Sequence, residues 1–462
     1  MKYMCAFLLS ILLVIEIVLT ARTYKKRGFT CMFAFEAMYI VVYLLFPIFA
    51  LTGLGANTDT SQAAAVMKLD TTEITLNAFL MFIFLFLLKM IYQSSYRKCQ
   101  ANIQQGNIKY IRIEENYHEK IFKITNLLLF VGLLSLIILI HVSGGLSPFL
   151  SLGQQARGVK VTISDSIGSA ATPFVLLSQI VMLPPYLYYY LKNEGYKRAK
   201  WLFVFSISIA VIYLLFNQGK GPVFLALIPF LIRKDKRRSI IRLVLLAVCV
   251  LALAPLLDSL FRYIAYDYWE YSFDINETLK TFWDYYSLPF ANFSYRHEIT
   301  RQIGLRFGID YLNWIFNLVP NALLNLIGFT KEGFVSLIQL NTNALINISG
   351  RNFDGGLPMD MFLFNYVQLG AVTAVLFEGL FVAVLAKVDA RMMLDTRYKK
   401  LNVLHYRLGM GVIMLINNFS IESIFRSRLD IFVLFVLYMY VLTKEPKRNL
   451  CVNYMNVENK TQ

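Results

Sequence analysis

Long apolar runs alternate with short polar connections along almost the whole chain. Eleven runs stand out, at about 3–21, 31–51, 74–92, 121–142, 171–191, 201–216, 222–232, 241–259, 361–386, 402–420 and 429–443. Crossing the ~30 Å hydrocarbon core of a bilayer takes about 20 helical residues, and most runs have that length. The pattern predicts an all-α polytopic membrane protein with about 11 transmembrane helices, residues 1–462 forming a single integral membrane domain. The pair 201–216 and 222–232 is the weakest. "NQGKG" splits it and its second member is short, so it reads as a tight hairpin or as one broken helix.

Two connections are long. Residues 143–170 form the first long outer loop and 260–360 the large outer, periplasmic loop. A structureless loop of about 100 residues is improbable in a compact protein, so the second one is expected to fold. "ETLKTFWDYY" and "RFGIDYLNWIFNLVPNALLNLIG" have helical apolar spacing and predict short helices lying on the outer membrane surface, with Pro320 kinking or stopping the second. The loop holds three of the four tryptophans, Trp269, Trp283 and Trp314. Most of its aromatics read as an interfacial belt, an apolar body in lipid and a polar tip in water. Part of "YDYWEYSF" also suits stacking on sugar rings.

Charge orients the bundle. Lys and Arg concentrate in "ARTYKKRG", in the stretch from Arg97 to Lys123 and in "RKDKRR". With the N-terminus outside and the C-terminus cytoplasmic, roughly two thirds of the 45 Lys and Arg fall on the inner side, as cytoplasmic loops require. The net charge of +16 is therefore a matter of topology and anionic lipid. Scattered over many loops, it gives no nucleic-acid footprint. The first run reads as a retained helix, because its four basic residues follow the apolar stretch and no small-x-small cleavage site stands out.

With 57% hydrophobic and 16% charged residues and a mean hydropathy of +0.54, a soluble chain is excluded. The five cysteines (Cys5, Cys31, Cys99, Cys249, Cys451) avoid the long outer loops, so no disulfide framework is expected. No Cys/His spacing suggests a zinc site. A P-loop and a Gly-rich dinucleotide fingerprint are both missing from the sequence, so neither a cofactor nor nucleotide-driven chemistry is expected. No internal repeat of the transporter kind is seen.

Charge at membrane level is expensive and marks candidate sites. On the outer side lie Arg157, Lys220 in "NQGKGP", and the cluster Arg296, His297, Glu298, Arg301 and Arg306. Arg351 and Asp354 follow in "SGRNFDGGLPMD", and Arg426 and Arg428 open the last helix. Arginine forks bind phosphate oxygens bidentately and lysine adds a point charge. Cations converging from several loops would hold a pyrophosphate and stabilise the charge growing on it as it leaves, with no metal required. His297 or Glu298 suits a general base, with Asp354 as a further choice. In a helix, His297 and Arg301 share a face. The plain alternatives are a surface pair between Glu298 and Arg301 and a merely hydrogen-bonded His297. Glu16 and Glu36, inside early runs, read as proton-relay groups or as groups satisfied by neighbouring helices.

Several stretches resemble a known family. "GIDYLNWIFNLVPNALLNLIGF" followed by "GGLPMDMFLFNYVQLGAVTAVLFEGLFVAVL" resembles the pattern of oligosaccharide repeat-unit polymerases: a surface helix ending in proline, Gly-Gly, a proline before a helix, then Y-x-x-x-G. These are the O-antigen polymerases of the Wzy type, in the C-type glycosyltransferase superfamily. "NQGKGPVFLALIPFLI" resembles the family's Arg-Gly turn with Lys220 in place of arginine, and "RSRLDIF" its last-helix arginine. The resemblance implies a membrane glycosyltransferase that joins two polyprenyl-pyrophosphate-linked oligosaccharides at the outer face of a bacterial inner membrane, building a surface polysaccharide (O-antigen or capsule). It implies pyrophosphate or sugar-phosphate contacts at Arg157, Lys220, Arg296, Arg301 and Arg426. It also implies a chain-length regulator and a flippase as partners. The rival readings are an O-antigen ligase of the same superfamily and a lipid-linked oligosaccharide flippase, the latter calling for charges inside the membrane and two similar halves.

Overall fold

A computed structural model describes residues 1–53, 60–104, 117–158, 171–217, 220–232, 255–271, 286–313, 336–352, 356–394, 402–417 and 428–438, with Phe419 and scattered positions between 242 and 328. No strand occurs among the described residues. Seven spans there are long and apolar enough to cross a membrane: Lys2–Arg27, Cys31–Thr52, Thr71–Ile103, His118–Val142, Thr172–Asn193, Ala199–Phe216 and Ala371–Met393. The chain is thus a helical, multi-pass membrane protein.

Local chemistry sets the ends of these helices. α1 (Lys2–Arg27) closes with Lys25, Lys26 and Arg27 in its last turn, where cations suit the negative end of the helix dipole. Gly28 then turns the chain at φ 78°. Thr30 caps α2 (Cys31–Ile40) by accepting from the Phe33 N–H. A π-turn over Val41–Leu45 joins α2 to α3 (Phe46–Thr52), making one span with a bulge of the kind that recurs at functional sites. After α4 (Ser61–Lys68), Asp70 and Glu73 accept from each other's backbone N–H, a reciprocal box that starts α5 (Thr71–Gln104). At 34 residues α5 outlasts the apolar run 74–92, because its polar last turns continue the helix beyond the hydrocarbon.

α6 (Tyr117–Val142) and α7 (Leu146–Gly158) follow. The fifth run is interrupted: α8 (Thr172–Ser178) passes through a 3₁₀ turn at Gln179–Met182 into α9 (Pro184–Asn193), whose prolines occupy the first turn, where no N–H is needed. α10 (Ala199–Asn217) and α11 (Lys220–Leu231) are separate helices. With 12 residues, α11 is about 18 Å long and too short to cross alone. Of the run 241–259, most of the part before residue 255 lies outside the described residues.

Two expectations need correction. The run 361–386 is not one helix. It breaks at Gly370 (φ 85°) into α15 (Met361–Leu369) and α16 (Ala371–Leu394), which fold back against each other. Apolarity continues through the break, so hydropathy alone does not show it. The loop 260–360 does not merely lie on the surface either. Its helices α12 (Leu288–Ser294) and α14 (Leu337–Ser349) are packed in, with Phe290, Ala291, Phe293 and Leu345 buried. α12 touches α4, α5 and the π-turn. Between them runs α13 (Arg296–Ile303). The loop's aromatics divide: Trp283 is buried against Phe46, while Tyr266, Tyr268, Trp269 and Tyr271 are exposed. α17 (Asn402–Asn417) and a helical stretch over 428–438 end the described chain.

One polar cluster fastens the packed loop to the second span. Asp360 caps α15 and accepts from Tyr43 Oη (3.1 Å) in the π-turn and from Asn292 Nδ2 (3.0 Å) in α12. Asn341 of α14 donates to Asn292 Oδ1 and to the carbonyls of Leu357 and Pro358. All four side chains are buried, and their hydrogen bonds to one another leave only the Asn341 Oδ1 without a partner among the described residues.

Candidate functional site

α13 gathers four of the expected site residues on a single short helix: Arg296, His297, Glu298 and Arg301. It packs on α14 and α15, with Ile299 buried in the contact. Arg296 reaches back to the Phe293 carbonyl (2.7 Å) and to Asn77 Oδ1 of α5 (3.4 Å), and its guanidinium lies over the Phe293 ring. Burial there pulls its pKa down, the cost of removing a cation from water. His297 is exposed and its Nδ1 lies 2.9 Å from Tyr366 Oη on α15. Glu298 is half-buried and Arg301 exposed.

Nearby, Lys68 donates to the Ile348 carbonyl at the end of α14, where a cation satisfies the open carbonyls. Arg351 follows directly and is exposed. Arg306 is committed elsewhere. It forks onto Asp310 (2.9 and 3.0 Å), which also accepts from Gln368 and Asn313. That fork lifts the Arg306 pKa.

A second arrangement lies at the 3₁₀ turn, α10, α17 and the start of the last helical stretch. Arg407, Arg428, Asp430, Tyr213, Met182 and Pro222 line a narrow cleft. Arg407 is only 3% exposed. Its Nη2 donates to Asp430 and its guanidinium lies 5.4 Å from the centre of the Tyr186 ring. Its Nε and Nη1 have no hydrogen-bond partner among the described residues. Pro222 of α11 lines the same cleft. Lys220 opens α11 two residues before it, its side chain outside the described residues.

The expected residues therefore fall into three groups. Arg296, His297, Glu298 and Arg301 share α13, with Arg351 at the end of α14, the helix against which α13 packs. Arg157 lies on α7 and Lys220 opens α11, the side chains of both outside the described residues. Asp354 and Arg426 lie outside the described residues. The structure does not join the α13 cluster and the cleft into one clamp.

Sequence reading singled out Glu16 and Glu36 but missed Arg407, Lys89, Asp389 and His405. Lys89 of α5 bonds Glu16 of α1 and stands 3.8 Å from Glu36 of α2. Cys31, Asp389 and His405 bring one ligand atom each to within 4.8 Å of one another. Distant in sequence, they form no spacing motif. Asp389 already accepts from the Cys31 and Met32 N–H groups and from Tyr92 Oη, so it serves as the cap of α2 rather than as an open ligand. For Lys89 and Arg407 the detectable signal was a lone charge inside an apolar run.

Compared with protein-family models, curated proteins and solved structures, the chain matches none of them.

Proposed function

We propose that the chain is a membrane glycosyltransferase that joins polyprenyl-pyrophosphate-linked oligosaccharide repeat units into a surface polysaccharide at the outer face of a bacterial plasma membrane. Arg407 carries this reading. Its buried guanidinium is held by Asp430 through Nη2, while Nε and Nη1 have no partner among the described residues, in a cleft that Arg428 and Pro222 also line. Buried donors left without acceptors are costly, and the oxygens of a diphosphate would supply acceptors for the two nitrogens that Asp430 does not hold. The same donors then stabilise the diphosphate as the glycosidic oxygen breaks away from the anomeric carbon.

The exposed Tyr266, Tyr268 and Trp269 offer faces for sugar rings. With the N-terminus outside, the turn before α11 and the start of the last helix both lie toward the outer leaflet, where lipid-linked donor and acceptor meet. The bilayer and the lipid-linked oligosaccharides are then its partners. A chain-length regulator and a flippase belong to the same reading.

One observation favours a second reading, a lipid-linked oligosaccharide flippase: Lys89, Glu16 and Glu36 are charges inside the membrane, as transporters use. A strain lacking this chain, complemented with wild type, Arg407→Ala, Arg296→Ala or His297→Ala, separates the two. Surface polysaccharide is run on a gel beside a membrane expression blot. The proposal expects a ladder with wild type and single repeat units with expressed Arg407→Ala, activity falling by about 10²–10³. Repeat units trapped on the cytoplasmic side indicate a flippase. Ladders retained on the carrier lipid indicate a ligase. A normal ladder from Arg407→Ala removes the cleft from the mechanism.

A further inference from the structure

The second span turns one polar stripe toward its neighbours. Along it lie the Met32 N–H, Glu36, Tyr39 and Tyr43, at offsets of about three to four residues that keep them on one helix face. Three of the four meet an ionisable group from another helix, and Tyr39 Oη lies 3.6 Å from Met81 Sδ of α5. Asp389 of α16 accepts from the Cys31 and Met32 N–H groups and from Tyr92 of α5, and His405 Nε2 of α17 stands 3.1 Å from it. Glu36 accepts from Thr20 of α1 (2.9 Å) and lies near Lys89, which also holds Glu16. Tyr39 lies in the field of Glu378 of α16, and Tyr43 donates to Asp360. Arg27, stacked 4.0 Å over Tyr96, is the further cation whose field reaches Glu36.

The charges on this stripe do not balance. Glu16 (1% exposed) and Glu36 (4% exposed) share a single lysine, and no other basic group among the described residues comes within ion-pair distance of either. Fully ionised, the trio carries one uncompensated negative charge. Glu378 is 2% exposed, and its Oε2 has no hydrogen-bond partner among the described residues. A buried unpaired carboxylate is costly in a low-dielectric setting, and a bound proton removes its charge and turns an acceptor oxygen into a donor.

We propose that this stripe is a proton-binding site: one exchangeable proton resides on Glu36, beside the Glu16–Lys89 pair, and another on Glu378. The titratable groups continue turn by turn from Asp360, which fastens the 260–360 loop, to His405 beside the cap of α2. The inference rests on the face of the second span alone and stands whether or not the chain is a polymerase.

Infrared difference spectroscopy of the full chain in lipid nanodiscs tests it. Wild type is expected to show the carbonyl stretch of a protonated carboxyl at neutral pH, shifted in D₂O. Glu36→Gln and Glu378→Gln should each remove one carboxyl's share of that band. Lys89→Met should enlarge it, because the two remaining carboxylates lose their cation. Glu119→Gln, an exposed carboxyl paired with Lys123, should leave it unchanged. No such band in wild type overturns the proposal, as does a band that none of the buried-site variants alters. A band that forms only when sodium is withdrawn also overturns it, since a metal cation then fills the site.

Discussion

Asp360 receives Tyr43, Asn292 and the Phe362 N–H, so three elements depend on a single carboxyl. Asp360→Ala leaves buried donors without an acceptor and should cost about 2–4 kcal/mol. Thermal unfolding in detergent should show a clearly lowered midpoint, with Asp360→Asn losing less because an amide oxygen remains. A midpoint equal to wild type would mean that the cluster holds nothing. This residue was readable as a cap: an Asp after Gly-Gly-x-Pro-Met, opening an apolar run, is a helix-start signal. Arg407 was not readable in the same way. Its partner Asp430 sits in another helix, and whether a lone arginine inside 402–420 is paired or free depends on packing that no local pattern encodes. Lys89 and Glu378 were obscure for the same reason. His297 and Arg301 lie four apart on one short helix, the geometry that the sequence reading considered only on the condition that the stretch is helical.

At the scale of elements, close helix contacts depend on a few glycines. A Cβ at Gly153 of α7 would stand 2.2 Å from the Phe216 carbonyl of α10, where Phe149 and Phe216 stack at 3.8 Å. The obstacle is backbone, so it cannot yield. Gly153→Leu should force α7 off α10 and lower the unfolding midpoint sharply or abolish folded yield in size-exclusion chromatography. Gly379→Ala should be tolerated, since the nearest atom is the flexible tip of Ile91 at 3.3 Å. Equal behaviour of the two variants would contradict this packing account. The apolar runs located most spans to within a few residues, because hydrophobic length is a direct demand of the bilayer. They could not show the breaks at the 3₁₀ turn and at Gly370. Helices packed inside protein stay apolar through a break, and only the backbone geometry reveals it.

For the whole molecule, orientation and chemistry are linked: the cleft serves an outer-leaflet reaction only if the basic ends face the cytoplasm. An epitope tag on the N-terminus should react with antibody in intact spheroplasts, and one on the C-terminus only after permeabilisation. The opposite pattern would place the cleft on the wrong side for polymerisation. The central claim is catalytic, and a purified system tests it most directly. Wild-type chain in liposomes, supplied only with polyprenyl-pyrophosphate-linked repeat units, should produce a ladder of lengthened oligosaccharides and release polyprenyl pyrophosphate. Arg407→Ala at equal protein should do so at least about 100-fold more slowly. If wild type yields no lengthened product while Arg407→Ala binds and moves the lipid-linked units as well as wild type does, the glycosyltransferase account is contradicted.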